Sequence, residues 1–109
     1  PGIFLAGQLA GIEGYAGNIA SGLIAGVNAA RFIQQVPAVV FPNTTMTGAL
    51  MHYITHADVK GFQPMKAIFG LLPPPADGKR RTKRDRYEFY ALRALQDLNQ
   101  FLEQVNITL

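Results

Sequence analysis

The run Gly7-Gln8-Leu9-Ala10-Gly11-Ile12-Glu13-Gly14 constrains this chain more than any other feature. The apolar segment Ile3–Ala6 precedes it, and a helical pattern follows from about Tyr15 to Gln34. Ile3–Ala6 reads as a buried strand, short and apolar throughout. The backbone groups of a strand need partners, yet no second clear sheet-forming series follows. With Pro1 rather than Met in first place, the chain is expected to be a piece of a larger protein. In the helix, Ile19, Leu23, Val27 and Ala30 are spaced by three or four and share a face. Gly17, Ser21, Gly22, Ala25, Gly26 and Ala29 leave the other faces nearly bare. Each glycine weakens a helix by ~1 kcal/mol relative to alanine. Their number therefore points to close approach of another backbone or a ligand.

A strand feeding a glycine loop into a helix start presents free backbone N–H groups and the positive end of the helix dipole. Such an end suits a phosphate or a polarised carbonyl. The spacing Gly7-xxx-Gly11-xx-Gly14 is not the dinucleotide fingerprint, and no P-loop lysine follows. Two readings stand at this level: a cofactor-contacting loop, or a tightly packed structural turn.

Further along, Val36-Pro37 ends the first helix, and Ala38–Phe41 is an extended segment before Pro42. Thr44, Thr45 or Thr47 caps a second helix that runs to His56 or Ala57, with Leu50, Tyr53 and Ile54 on its buried face. Gly61-Phe62-Gln63-Pro64 breaks the chain, and Met65–Leu72 is an apolar run of either type. Pro73-Pro74-Pro75 is stiff and extended. A final helix, with Thr82 as N-cap, carries the stripe Tyr87, Ala91, Ala94, Leu95, Leu98, Leu102 and Val105. Glu88, Arg93, Asp97, Gln100 and Glu103 lie away from that stripe.

At 109 residues the chain is one domain or part of one. It has no cysteine, which excludes disulfides, thiolate metal sites and a cysteine nucleophile and fits a cytoplasmic protein. Gly14–Ala30 carries Asn18, Ser21 and Asn28 and falls short of the ~20 apolar residues a membrane span needs, so no membrane partner is expected. Residues 1–78 carry no net charge, and the whole +3 sits in residues 79–109. Lys79, Arg80, Arg81, Lys83, Arg84 and Arg86 fall within eight residues. They form either a tract for RNA phosphates, with Tyr87 and Tyr90 beside it for unpaired bases, or a solvated linker.

Ile3 to Tyr15, followed by Ala20-Ser21-Gly22-Leu23-Ile24-Ala25-Gly26-Val27-Asn28-Ala29-Ala30, resembles the C-terminal FAD-binding segment of two tRNA-modifying flavoprotein families. Both have Gly-Gln after the strand and Gly-Tyr opening the helix. Gly11-Ile12-Glu13-Gly14-Tyr15 and Ala20-Ser21-Gly22 resemble the folate- and FAD-dependent tRNA (uracil-5-)-methyltransferase family, TrmFO. The related wobble-uridine family, MnmG or GidA, favours threonines before Gly-Tyr. Val40-Phe41-Pro42, Gly48–Ala57, Phe62-Gln63-Pro64-Met65 and Phe69-Gly70-Leu71-Leu72-Pro73 also resemble TrmFO and not its cousin. The likeness runs from residue 2 to about residue 103.

The resemblance implies a parent enzyme that makes ribothymidine in the T-loop of tRNA. Methylenetetrahydrofolate would supply the carbon, and FAD reduced by NAD(P)H the electrons. It implies that Gly7, Gln8, Gly14, Tyr15 and Ala16 face the flavin, with Glu13 and Tyr15 as candidate folate contacts. The family's phosphate-binding glycine motif and nucleophilic cysteines are absent, so the segment is expected to be inactive alone, with no catalytic residue of its own.

His52 and His56 share a helix face at i, i+4. They lack the Glu of H-E-x-x-H and a third ligand, so no metal is assigned, and packing, capping or a ligand contact stay open. The expected architecture is a mainly α fragment with one or two short strands, part of a parent α/β FAD-binding (glutathione-reductase-like) fold. Residues 1–72 would belong to the FAD-binding domain, 73–86 to a Pro-rich basic linker and 87–109 to an amphipathic helix. The isolated piece is expected to self-associate. Alternatives are a fragment of the wobble-uridine flavoprotein and a stand-alone RNA-binding or oligomerisation module.

Overall fold

The computed structural model describes residues 2–106. Three helices carry the fold: α1 (Tyr15–Ile33), α2 (Met46–His56) and α3 (Lys83–Val105). Short 3-10 turns at Gly7–Ala10, Val59–Gly61 and Phe69–Leu71 punctuate the connections. The mainly α expectation holds. Strand pairing among the described residues is reduced to one parallel bridge, Ile12 with Met65. The final helix ends at Val105, and residues 107–109, which the sequence pattern assigned to it, lie outside the described residues.

Two of the caps act as their side chains suggest. Thr45 Oγ1 accepts the Gly48 N–H (3.0 Å) and donates to the Pro42 carbonyl (2.7 Å), which selects Thr45 over Thr44 and Thr47. Thr82 Oγ1 accepts the Asp85 N–H at 3.1 Å. Such caps contribute ~1 kcal/mol each.

Ile3–Ala6 departs from expectation. The segment is extended but not a buried strand: Ile3 is 83% exposed and Leu5 61%. No edge in the described chain pairs with it, so it has nothing to be buried against. Phe4 only leans edge-on against Phe32, with ring centroids 6.0 Å apart.

The face that α1 buries is also not the apolar one. Gly17, Ser21 and Ile24 are buried, whereas Ile19 is 74% and Leu23 51% exposed. Small residues face inward because the glycine loop and α2 come close there. A Cβ on Gly17 would stand 3.0 Å from Ile12 Cγ2 and 3.2 Å from Leu50 Cδ2. Asn28 then fastens α1 to the next segment. Its side chain donates to the Val39 carbonyl (3.0 Å) and accepts the Val39 N–H (2.8 Å), taking the place of a neighbouring strand for an extended stretch that has none.

Two small apolar clusters form the core. Ile24, Val39 and Phe41 pack with Val27, Met51, Leu98, Phe101 and Val105. Ala49, Leu72 and Tyr90 pack with Met46, Leu71, Tyr87 and Phe89. α3 serves both, with Tyr87, Leu98 and Val105 of the expected stripe packed on the clusters beside Phe89, Tyr90 and Phe101. Tyr90 is its buried residue, while Leu95 is 60% exposed. Arg93 and Asp97, placed by the sequence pattern on the outer face, turn inward. Arg93 Nη2 donates to the Pro73 carbonyl at 2.7 Å, and Asp97 Oδ2 accepts from Thr44 Oγ1 at 2.6 Å. These polar bonds set the rotation of the helix. No helix among the described residues is long and apolar enough to cross a membrane.

Gly48 is the tightest point of the packing. A Cβ there would lie 1.9 Å from the Pro42 carbonyl oxygen and 2.8 Å from that of Phe41, both backbone atoms that cannot swing aside. Gly48→Ala is expected to cost ~2–3 kcal/mol of overpacking, read as a lowered denaturant midpoint. Gly26→Ala, whose Cβ would meet nothing within 4 Å, should leave the midpoint unchanged or raise it.

Candidate functional site

The glycine loop is held at both ends by hydrogen bonds that cross the sequence. The Gly7 N–H donates to Ser21 Oγ (2.8 Å), and the Ser21 hydroxyl donates on to the Asn18 carbonyl (2.8 Å). Ser21 is 3% exposed. At the other end the Glu13 N–H donates to the Met65 carbonyl (2.9 Å), and the Met65 N–H to the Gly11 carbonyl (3.0 Å). Ile12 is fully buried between these ties.

The fixed loop delivers Gly14 to the start of α1 with φ +87° and ψ 151°. L side chains rarely adopt that φ, and glycine does so freely. No side chain caps α1, and the first amide bonded back is that of Asn18, to the Gly14 carbonyl at 3.1 Å. The N–H groups of Tyr15 and Ala16 therefore open outward at the positive end of the helix dipole. A cleft of about 430 Å³ lies there, lined by Gln8, Glu13, Gly14, Tyr15, Asn18 and Lys66.

The cleft gathers four of the residues singled out from sequence: Gln8, Glu13, Gly14 and Tyr15. Gly7 is turned away, onto Ser21 and Asn18. Ala16 faces a separate cavity of about 110 Å³ that also takes in Gly17, Ala20, Met46, Thr47, Leu50 and Ala67. Two lining residues were not foreseen. Asn18 follows Gly14 by one helical turn, a spacing that could have flagged it. Lys66 comes from the segment that pairs with the loop, and no local signal announces that contact. The buried Asn18 Oδ1 has no hydrogen-bond partner. It sits where a Cβ on Gly7 would come within 3.3 Å.

His52 and His56 stack with ring centroids 4.0 Å apart. His56 Nδ1 lies 2.9 Å from the His52 carbonyl and 2.9 Å from Thr55 Oγ1. Both rings are exposed, and the pair closes the last turn of α2.

The basic run does not behave as one unit. Arg81 holds Asp77 with two bonds, Nη2 to Oδ2 at 2.6 Å and Nη1 to Oδ1 at 3.0 Å. Its guanidinium also lies 4.4 Å from the Phe89 ring centroid. Lys79, Arg80, Lys83, Arg84 and Arg86 are exposed, and Lys83, Arg84 and Arg86 stand on the first turn of α3. Lys79, Arg80, Arg81 and Arg86, with Pro75, line a cleft of about 280 Å³.

The described residues thus form a helical segment in which a glycine loop leaves the start of α1 uncapped at an open cleft. The family model described as glucose inhibited division protein A matches residues 1–37, the loop and all of α1. Over 105 residues the chain is 53% identical to methylenetetrahydrofolate–tRNA-(uracil-5-)-methyltransferase TrmFO of Streptococcus sanguinis, and equally so to that of Streptococcus gordonii. It is 52% identical over 102 residues to the protein of that name from Streptococcus pneumoniae. The first match covers 95% of this chain and 23% of the relative, so the chain spans about a quarter of the length of the curated relatives it matches. Over nearly its whole length the chain is thus similar to one segment of the proteins of that name.

The Asp77–Arg81 pair makes a pH prediction. Hydrogen bonds from Arg81, reinforced by the Lys79 N–H, hold the Asp77 carboxyl well below its ordinary value of 3.8. A depressed folded-state pKa means stability that is present above about pH 4 and lost as pH falls below it. The Tm difference between wild type and Asp77→Asn should be present at pH 7 and narrow as pH is lowered from 5 toward 2. The pair is at the surface, so the difference should be small and shrink further in high salt.

Proposed function

We propose that the chain is the C-terminal part of a tRNA methyltransferase that forms ribothymidine in the T-loop, and that it closes one side of the flavin site. In that reading methylenetetrahydrofolate is the carbon donor, FAD the cofactor and NAD(P)H the reductant, and the enzyme works in the cytoplasm on tRNA. The observation that carries it is the uncapped start of α1 opening onto the cleft of Gln8, Glu13, Gly14, Tyr15 and Lys66. The names of the relatives agree with it.

The residues present suit a flavin. The unclaimed N–H groups of Tyr15 and Ala16 are donors for carbonyl oxygens at a ring edge. A Cβ on Gly14 would have nothing within 4 Å, so the glycine leaves open space where a flat ring approaches the backbone. When bound, FAD supplies the electrons for reducing the transferred carbon. The positive end of α1 and the Lys66 ammonium would stabilise negative charge at the pyrimidine edge of the flavin. Gln8 offers both a donor and an acceptor. Glu13 can accept from the amino and ring N–H groups of a pterin, and the Tyr15 ring, 93% exposed, can stack on it. With no cysteine in the chain, a thiolate nucleophile for uracil has to come from outside this segment, and the segment alone is inactive.

Residues 40–72 favour this reading over the wobble-uridine flavoprotein, since the identity to the TrmFO relatives extends over nearly the whole chain. The exposed Leu9, Ile19 and Leu23 form apolar surface that would drive the isolated segment to self-associate.

Gly14→Val in the full-length protein should strip the purified enzyme of most of its flavin, read from the visible absorbance ratio. The branched side chain would be strained at φ +87° and would stand in the path of the ring. Wild-type flavin content in that variant would contradict the placement of the cofactor at this loop.

A further inference from the structure

Two clefts adjoin at the start of α3, and Arg86 lines both. The first, of about 280 Å³, is the basic one of Lys79, Arg80 and Arg81. The second, of about 340 Å³, is lined by Phe69, Gly70, Arg86, Tyr87 and Tyr90. Its size falls within the range of about 300–1,000 Å³ typical of small-ligand clefts. Phe69 is 43% exposed, although it stacks on Tyr87 (centroids 4.3 Å apart, planes 17° apart) and lies nearly parallel to Tyr90 at 5.9 Å. The guanidinium of Arg86 sits 5.7 Å from the Tyr87 centroid.

Cations alone would fit any anionic chain, including an acidic peptide. The stacked, partly exposed rings of Phe69 and Tyr87 beside them fit an unpaired nucleobase, because every base has a π-face and its phosphate follows at short reach. Arg81 lines the basic cleft, but its charge is already matched by Asp77. That leaves Lys79, Arg80 and Arg86 for a phosphate.

We propose that this groove holds one unpaired nucleotide of the RNA, its base against Phe69 and Tyr87 and its phosphate on Lys79, Arg80 and Arg86. The proposal rests on the tRNA reading above and adds a second contact, apart from the flavin cleft. It gives the basic run a division of labour: Arg81 braces the turn, the other three cations of the cleft bind, and Lys83 and Arg84 stand outside it. Stacking of this kind is sequence-tolerant, so the groove positions the RNA without choosing the base that is methylated.

The test uses the full-length protein and a T-stem-loop RNA hairpin with 2-aminopurine placed in turn at each loop position. Wild type should quench the fluorescence strongly at one position. Phe69→Leu should reduce that quench at least fivefold with the salt dependence of binding unchanged, while Phe69→Tyr should retain it. Arg86→Gln should lower the slope of log K against log salt by about 0.7, one phosphate on a single strand, and Arg81→Gln should not change it. Equal quenching by wild type and Phe69→Leu would overturn the base platform, as would loss in Phe69→Tyr as well, which would mark a packing defect. An unchanged slope in Arg86→Gln would overturn the phosphate contact. Tighter binding of a polyglutamate peptide than of the hairpin would assign the groove to acidic protein instead. If wild type binds no RNA hairpin at all, the tRNA reading itself fails, and this proposal with it.

Discussion

The Ser21 hydroxyl is the interaction on which the rest of the structure depends. It accepts from Gly7 and donates to the Asn18 carbonyl, so one buried side chain joins the first turn of the glycine loop to the second turn of α1. Without it the half-buried Gly7 N–H would lose its partner, and a lost hydrogen bond of this kind costs ~0.5–1.5 kcal/mol. The Met65 bridge fixes the other end of the loop. Between these ties Gly14 has no freedom left, and the start of α1 is aimed rather than frayed. Only small residues on α1 allow this approach, which is why its buried face is Gly17 and Ser21 and not Ile19 and Leu23.

The same economy governs the second half. The apolar clusters are small, so polar bonds position the elements. Asn28 holds the extended segment at Val39, Thr44 meets Asp97, and Arg93 reaches Pro73. Arg81 and Asp77 close the turn that precedes α3. α3 is thereby set at a rotation that places Tyr87 and Tyr90 beside Phe69 and leaves Arg86 between two clefts. The flavin-facing and RNA-facing surfaces inferred above thus depend on separate hydrogen-bond systems, one in each half of the chain.

Local signals in the sequence were sufficient where the physics is local. Thr45 and Thr82 marked helix starts because a hydroxyl can satisfy an N–H three residues on, and Val36-Pro37 marked a stop because proline restricts the residue before it. The loop at 7–14 was legible from its glycines, and Gln8, Glu13, Gly14 and Tyr15 converge on one cleft. What could not be read depends on contacts distant in sequence. Periodicity groups Ile19 with Leu23, but which face is buried is decided by the loop and by Leu50. The stripe on α3 was legible at Tyr87, Leu98 and Val105, but Arg93 and Asp97 look like solvent residues until Pro73 and Thr44 are set beside them. Ile3–Ala6 has the composition of a buried strand and no partner here to make it one. Lys66 enters the cleft through a pairing that spans fifty-odd residues of sequence, which no spacing rule reports.

The uncapped start of α1 is proposed above as a cofactor contact. Amide hydrogen exchange on the full-length protein, with and without FAD, measures it directly. Among the described residues the N–H groups of Tyr15 and Ala16 have no acceptor, so they should exchange rapidly in the flavin-free protein. They should become protected when FAD is bound, while the Gly7 amide, already held by Ser21, changes little. Rapid exchange at Tyr15 and Ala16 in both states, with protection appearing only elsewhere in the protein, would contradict it.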